Sequence, residues 1–159
     1  MIAPLLKPVS PVLFHRPLVS LWIALSLIGG KNPGEIISLI EEGKLRWAFD
    51  IRKKWGKRRE IRILAQSINE YLTGSAAPNI SEQQDFCQAM HSIFPMPKLS
   101  ITACDIACAW NASPEHILNL CRSRQLGLAK GACNRRGRGG SPQVTMESAV
   151  EFLRKRRFL

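Results

Sequence analysis

Acidic residues are scarce in this sequence, whose 159 residues contain 12 Asp and Glu against 23 Lys and Arg. The formal net charge of +11 is unusual for a metabolic enzyme. A basic excess of this size favours a polyanionic partner, either a nucleic acid or an anionic membrane surface. The alternative is a basic surface that only keeps the protein in solution.

A long apolar run is also missing. The apolar stretch from Leu18 to Ile28 has about eleven residues, whereas a transmembrane helix needs about 20. The stretch could also be the apolar region of a signal peptide, but no small-x-small cleavage site follows it in the sequence. We therefore expect a buried helix here, no membrane partner, and a cytoplasmic protein associated with the nucleoid.

Paired cysteines and clustered catalytic groups are missing as well. The five cysteines include no CxxC pair, so neither a disulfide framework nor a zinc ribbon is indicated. Cys104 and Cys108, spaced i, i+4 with His116 nearby, leave a metal site as the weaker alternative. No paired carboxylates accompany the three histidines, and no phosphate-cradling glycine motif precedes a helix. The sequence thus predicts neither an enzyme nor a bound cofactor or metal.

What the sequence does contain is an internal repeat with an offset of 81 residues. The matching pairs are Pro33 with Pro114, Ile36 with Ile117, Ile37 with Leu118, Leu39 with Leu120, Leu45 with Leu126, Ile63 with Val144, and Ser67 with Ser148. Each copy of such a repeat is expected to be one structural unit. The repeat therefore predicts two small units rather than one large core.

Composition divides the chain into four segments. Prolines without a helical period mark an extended arm, and the Gly- and Ser-containing stretch 73–78 is typical of a linker. Ser81 is expected to cap a short helix that carries Phe86, Met90 and Ile93 on one side. The predicted segments are an arm at 1–17, a first unit at 18–72, a linker with a short helix at 73–97, and a second unit at 98–159.

Both units show the same predicted order of elements. Two helices joined by a turn come first, and this turn is expected to be two residues longer in the first unit. Alternating apolar residues then predict a β-hairpin, and a closing helix follows. The predicted first helices lie at about 21–28 and 101–110, and the closing helices at 65–72 and 146–157. The second helices have apolar residues at 36, 37, 39 and 40 and at 117, 118, 120 and 121, and the first of them is expected to end at Gly43. The predicted strands lie at 45–51, 60–63, 126–129 and 143–145. This order describes a winged helix-turn-helix, with the hairpin as the wing, and the fold class is α+β, mainly α.

Short motifs in the second unit follow one another in a characteristic order. They are Ser-Pro-Glu-His-Ile at 113–117, Arg-Gln-Leu at 124–126, and Gln-Val-Thr-Met-Glu-Ser-Ala-Val-Glu-Phe-Leu-Arg-Lys-Arg-Arg at 143–157. The first unit has Glu-Gly-Lys-Leu at 42–45 and Ser-Ile-Asn-Glu-Tyr-Leu at 67–72. In both units the pattern resembles the MerR/excisionase type of winged helix-turn-helix. This resemblance implies binding to double-stranded DNA.

In such folds the second helix enters the major groove, where side chains distinguish base pairs. The predicted major-groove residues are Ser113, Glu115, His116, Asn119, Arg122 and Ser123 in the second unit and Ser38 in the first. Three carboxylates on the second helix of the first unit, at Glu35, Glu41 and Glu42, would repel phosphates. The first unit is therefore expected to bind DNA mainly through its wing, or to bind a protein instead.

Basic residues gather at both predicted wings. One basic run is typical of a solvated face, but two runs at equivalent places indicate contact with phosphates or the minor groove. Trp55 in the first wing predicts either a contact with a sugar or packing on its own hairpin, and the basic tail at 154–157 is expected to reach the DNA backbone. The predicted wing and backbone contacts are Arg46, Arg52, Lys53, Lys54, Lys57, Arg58, Arg59, Arg62, Arg124, Lys130, Arg135, Arg136, Arg138, Arg154 and Arg156.

The expected function is sequence-specific binding to double-stranded DNA by two tandem units on consecutive major grooves. The role would be that of an excisionase-like architectural factor or a transcription regulator of a mobile element. An integrase, a polymerase or another protein is a further candidate partner. The alternative is a protein-interaction adaptor whose first unit binds a protein rather than DNA. RNA is less favoured, because no aromatic stacking platform with basic flanks stands out.

Overall fold

The computed structural model describes residues 16–75, 79–96, 98–129 and 142–158, in which seven helices and six short strands form. This mixed composition confirms the predicted α+β class. The predicted arm lies outside the described residues except for Arg16 and Pro17, and so does the tip of the second predicted wing.

The first unit contains three helices and three strands. They are β1 (Leu18–Ser20), α1 (Leu21–Ile28), α2 (Pro33–Glu41), β2 (Ala48–Asp50), β3 (Ile61–Leu64) and α3 (Ala65–Thr73). The Ser20 hydroxyl accepts a hydrogen bond from the Ile23 amide and so caps α1. The Asn32 side chain accepts from the Glu35 amide at the start of α2. Both caps satisfy amides that a helix leaves unpaired in its first turn.

A helix of the predicted linker separates this unit from the second. It is α4 (Glu82–Ile93), which begins with a capping box between Ser81 and Gln84 and buries Phe86, Met90 and Ile93, as the sequence predicts. The second unit then contains β4 (Ser100–Thr102), α5 (Ala103–Ala109), α6 (Pro114–Arg122), β5 (Gln143–Thr145), α7 (Met146–Lys155) and β6 (Arg157–Phe158).

Equivalent hydrogen bonds recur in the two units. The hydroxyl of Ser67 accepts a hydrogen bond of 2.6 Å from the Arg46 amide, and that of Ser148 accepts one of 2.6 Å from the Gly127 amide. Both pairs are related by the offset of 81 residues. In each unit, therefore, one serine of the closing helix fixes the chain where it leaves the second helix.

The first helices of the two units align differently from the prediction. The caps Ser20 and Thr102 are equivalent, which makes the offset 82 residues at this point. The helix α1 has eight residues and α5 has seven, while four residues separate each from the next helix. The expected two-residue difference in the turn is therefore wrong, and a one-residue difference in helix length replaces it.

Three strands were not predicted, and they determine the sheet topology. The strands β1 and β4 directly precede the first helices of their units. The strand β1 pairs antiparallel with β3, and β4 pairs antiparallel with β5. The last predicted helix ends at Lys155 rather than 157, and β6 follows it. Because β6 pairs with β2, the order of the larger sheet is β1-β3-β2-β6. A strand of the second unit thus completes the sheet of the first.

Both faces of this sheet are buried. On one face Val19, Ala48 and Ile63 pack against α1, α2 and α3 in the core of the first unit. On the other face Leu18, Phe49 and Leu64 belong to a second hydrophobic cluster. That cluster also contains side chains of α4 and of the second unit, among them Phe86, Trp110, Leu120 and Phe152. Burial of this face, the main stabilising contribution in such a core, therefore requires the two units to be packed together.

Among the described residues, no helix combines the length and the hydropathy that crossing a lipid bilayer requires.

Candidate nucleic-acid interface

Residues 52–59 lie between β2 and β3 and form the described segment with the largest number of exposed basic residues. We call this segment the basic loop. It contains six basic residues, no acidic residue, one tryptophan and one glycine: Arg52, Lys53, Lys54, Trp55, Gly56, Lys57, Arg58 and Arg59. Most of its side chains are exposed, so their charges face solvent and are accessible to a polyanion.

The base of the basic loop is held by the buried carboxylate of Asp50. Its Oδ1 accepts hydrogen bonds of 3.1 Å from the amides of Arg52 and Glu60, at the two ends of the loop. Its Oδ2 lies 3.2 Å from Nε of Arg52. Farther out, the Gly56 amide donates to the Lys53 carbonyl over 2.9 Å and closes a tight turn. The loop is therefore presented on a fixed base, which reduces the entropy lost on binding.

His116 joins the second unit to this base. Its Nε2 lies 2.6 Å from the carbonyl oxygen of Ile51, and its Nδ1 lies 3.7 Å from Oε1 of Glu60. Because a carbonyl can only accept, Nε2 carries the proton and donates. His116 is only 7% exposed, so the prediction of an exposed base-reading side chain at this position is wrong. It faces the first unit because the hairpin of that unit covers this side of α6.

A neighbouring face of α6 remains open to solvent. Arg122 there donates from Nη1 to Oε1 of Glu115 over 2.9 Å and to Oδ1 of Asn119 over 3.3 Å. Because both members of the Arg122–Glu115 pair are exposed, the pair contributes little to stability, and its arginine is available to another anion. Ser113 and Ser123 are exposed, but their hydroxyls are used at the two ends of α6. The Ser113 hydroxyl accepts a hydrogen bond from the His116 amide, and the Ser123 hydroxyl donates one to the Leu120 carbonyl.

The equivalent helix of the first unit, α2, carries exposed acids. Glu35 accepts hydrogen bonds from the Lys31 amide and from Nδ2 of Asn32. Glu42, the residue that follows the helix, pairs with Lys44 over 2.6 Å. The pair raises the pKa of the Lys44 ammonium through this hydrogen bond. Ser38 is exposed and donates to the Gly34 carbonyl. The predicted base reader on α2 therefore lies among carboxylates.

Two predicted backbone contacts lie inside the fold instead. Arg46 pairs with Glu70 of α3 over 2.7 Å and also with Asp85 of α4, and its side chain is 22% exposed. Burial lowers the pKa of its guanidinium, but the hydrogen bonds to Glu70 and Asp85 outweigh this effect and raise it. Arg62 donates from Nε to the carbonyls of Trp110 and Asn111 in the second unit, over 3.0 and 3.1 Å. Burial lowers the pKa of Arg62.

The basic tail is partly engaged with aromatic rings. The guanidinium of Arg154 lies 4.9 Å from the ring centroid of Phe86, and that of Arg156 lies 5.3 Å from that of Phe152. Arg154 is exposed and also pairs with Glu151, whereas Arg156 is half-buried. Arg124 is exposed at the end of α6. The predicted contacts Lys130, Arg135, Arg136 and Arg138 lie outside the described residues.

Sequence reasoning missed the brace at Asp50 and the buried contact of His116. The signal for Asp50 was visible, because a single carboxylate directly precedes a basic run. No local pattern signalled the burial of His116, since its partner lies 65 residues away.

Comparisons of this chain with protein-family models, with curated proteins and with solved structures find no match. In the described residues, no group of His, Cys, Asp and Glu side chains is arranged to hold a metal ion.

Proposed function

We propose that this protein binds double-stranded DNA and that the basic loop makes its main contact with the phosphate backbone. The two units would then act as tandem winged helix-turn-helix modules, in the regulatory or architectural role that the resemblance implies. The observation that carries the proposal is the concentration of six basic residues on one exposed loop with a braced base. Such a loop attracts the phosphates of a polyanion. Because its base is already braced, little entropy is lost in ordering the loop when the polyanion binds.

The contact between His116 and Ile51 favours a particular arrangement of the two units. It puts the open face of α6, with Glu115, Asn119 and Arg122, beside the base of the basic loop. The wing of the first unit and the second helix of the second unit would then form one composite surface. On that arrangement, α6 would approach base edges while the basic loop holds the adjoining backbone.

Salt dependence provides the test. Each neutralised phosphate contributes about −0.9 to the slope of log affinity against log salt concentration. We compare a triple variant of the basic loop, K53A/K57A/R58A, with a control of equal charge change at exposed lysines elsewhere, K31A/K44A/K98A. The loop variant is expected to lose about three units of slope on a duplex of about 25 base pairs. The control should keep nearly the wild-type slope.

Two results would overturn this proposal. If both variants lost affinity equally, net charge rather than the basic loop would govern binding. If the loop variant kept the wild-type affinity, the loop would not be the DNA contact. For both variants, circular dichroism and unfolding midpoints verify that the protein remains folded.

A second candidate function is that of an adaptor whose first unit binds a protein. The exposed carboxylates of α2 and the exposed ring of Trp22 on α1, 68% accessible, favour it. Aromatic side chains are enriched at protein interfaces, and acids on α2 would select a basic partner. A loop variant with unchanged DNA affinity would support this alternative.

A further inference from the structure

The ring of Trp55, in the basic loop, is exposed to solvent rather than packed in a core. It is 85% exposed, whereas Trp47 and Trp110 are almost completely buried. The ammonium of Lys54 lies 5.4 Å from the centroid of the Trp55 ring. The alternative that this ring packs on its own hairpin is therefore wrong. Basic side chains combined with exposed aromatic rings are the groups with which proteins hold a nucleic-acid backbone and stack its bases.

The geometry of the turn directs Trp55 away from the fold. The hydrogen bond from the Gly56 amide to the Lys53 carbonyl closes a four-residue turn at the tip of the loop, and Trp55 is the third residue of this turn. A Cβ atom at position 56 would lie 3.2 Å from that carbonyl oxygen, so glycine permits the tight closure. The turn stands on the base held by Asp50. The ring therefore projects from a fixed support with basic residues on both sides. This arrangement corrects the expectation that no aromatic platform with basic flanks is present.

We propose that Trp55 stacks against a nucleobase, so that the basic loop selects duplex DNA with an unpaired or unstacked base. This inference rests on the proposed function, because the surrounding lysines and arginines would hold the backbone while the ring meets a base. Stacking of one base on an aromatic side chain raises affinity by about tenfold or more. In a perfect duplex this gain is reduced by the cost of unstacking a base step. A base that is already unpaired lacks that cost.

The test compares two DNA ligands of about 20 base pairs that differ only in one extra, unpaired adenine at the centre. The proteins are the wild type, W55A, W55F, and the control W22A, which removes another exposed tryptophan. The wild type and W22A are expected to bind the bulged duplex about tenfold more tightly than the perfect one. W55A should bind both equally, and W55F should keep most of the preference. With 2-aminopurine as the unpaired base, wild type but not W55A should quench its fluorescence.

The outcomes separate this inference from the proposed function. Equal binding of both ligands by the wild type, or a preference that survives in W55A, overturns the stacking role of Trp55. If K53A/K57A/R58A in that case still loses about three units of the salt-dependence slope, DNA binding by the basic loop stands without base stacking. If the loop variant keeps full affinity, the proposed function itself fails. Because Trp55 is exposed, W55A should unfold at the wild-type midpoint, which checks that the fold is intact.

Discussion

Nε2 of His116 donates to the carbonyl oxygen of Ile51 over 2.6 Å, across 65 residues of sequence. The contact joins the second helix of one unit to the hairpin of the other. It lies next to Asp50, which holds the two ends of the basic loop. The position of the loop relative to α6 therefore depends on a hydrogen bond that neither unit makes by itself.

We predict that His116→Ala lowers the free energy of unfolding by about 2 kcal/mol, because a buried carbonyl loses its donor and a cavity forms. Glu115→Ala, one residue away and exposed, should change it by less than about 0.5 kcal/mol. Urea denaturation of both variants measures this difference.

DNA binding by the same variants checks the opposite interpretation, in which His116 reads a base. In that case H116A would unfold like the wild type and lose only affinity. A stability loss with a retained salt-dependence slope agrees with the role that its burial indicates.

Much of the element order was predictable from the sequence, because periodic apolar residues, prolines and caps are local signals. The strands β1 and β4 were not, since three residues are too short for an alternation to show. The strand β6 was hidden within a helical pattern that continues through Arg157. Its conformation depends on pairing with β2, and long-range pairing leaves no mark in a local window.

Ser67→Ala and Ser148→Ala provide matched tests of the repeat. Each removes the acceptor of one backbone amide, that of Arg46 or that of Gly127. Ser67 is buried and Ser148 only half-buried, so water can replace the lost acceptor more readily at Ser148. We expect a loss of about 2 kcal/mol for S67A and about 1 kcal/mol for S148A in denaturant unfolding. Equal losses, or a larger one for S148A, would contradict this order.

Gly43 and Arg124 occupy equivalent positions, at the end of α2 and of α6, and both have positive φ angles, +72° and +58°. An L-residue is strained in this region and glycine is not. Arg124→Gly should therefore stabilise the protein by about 0.5–1 kcal/mol, and Gly43→Ala should destabilise it by about 1 kcal/mol. Thermal unfolding of both variants should show shifts of opposite sign. Shifts of the same sign would argue against conformational strain at this position.

Burial raises the pKa of the Cys121 thiol. A raised thiol pKa means less thiolate at a given pH, and the thiolate is the reactive form. At pH 8 Cys121 should therefore be alkylated by iodoacetamide more slowly than the exposed Cys87 and Cys108, and raising the pH should narrow the gap. Peptide mass spectrometry over time resolves each site. The difference should vanish in urea, where burial is lost.

The basic residues show why the candidate site was only partly predictable. Arg46 and Arg62 look like Lys53 and Arg58 in sequence, since all four belong to one basic run. In the fold, Arg46 pairs with the acid Glu70 and Arg62 donates to the carbonyl of Trp110. Lys53 and Arg58 instead face solvent. Charge is visible in a sequence, but the choice between an internal and an external partner is made by tertiary packing.

The strand β6 has a consequence for the order in which the chain becomes structured during synthesis. Residues 157–158 leave the ribosome about a hundred residues after β2, so the hydrogen-bonding edge of β2 stays unpaired over that interval. At about 5–20 residues per second, translation leaves this edge and the apolar side of the nascent sheet open for several seconds. Aggregation or chaperone capture is therefore expected chiefly while the second unit is still being made.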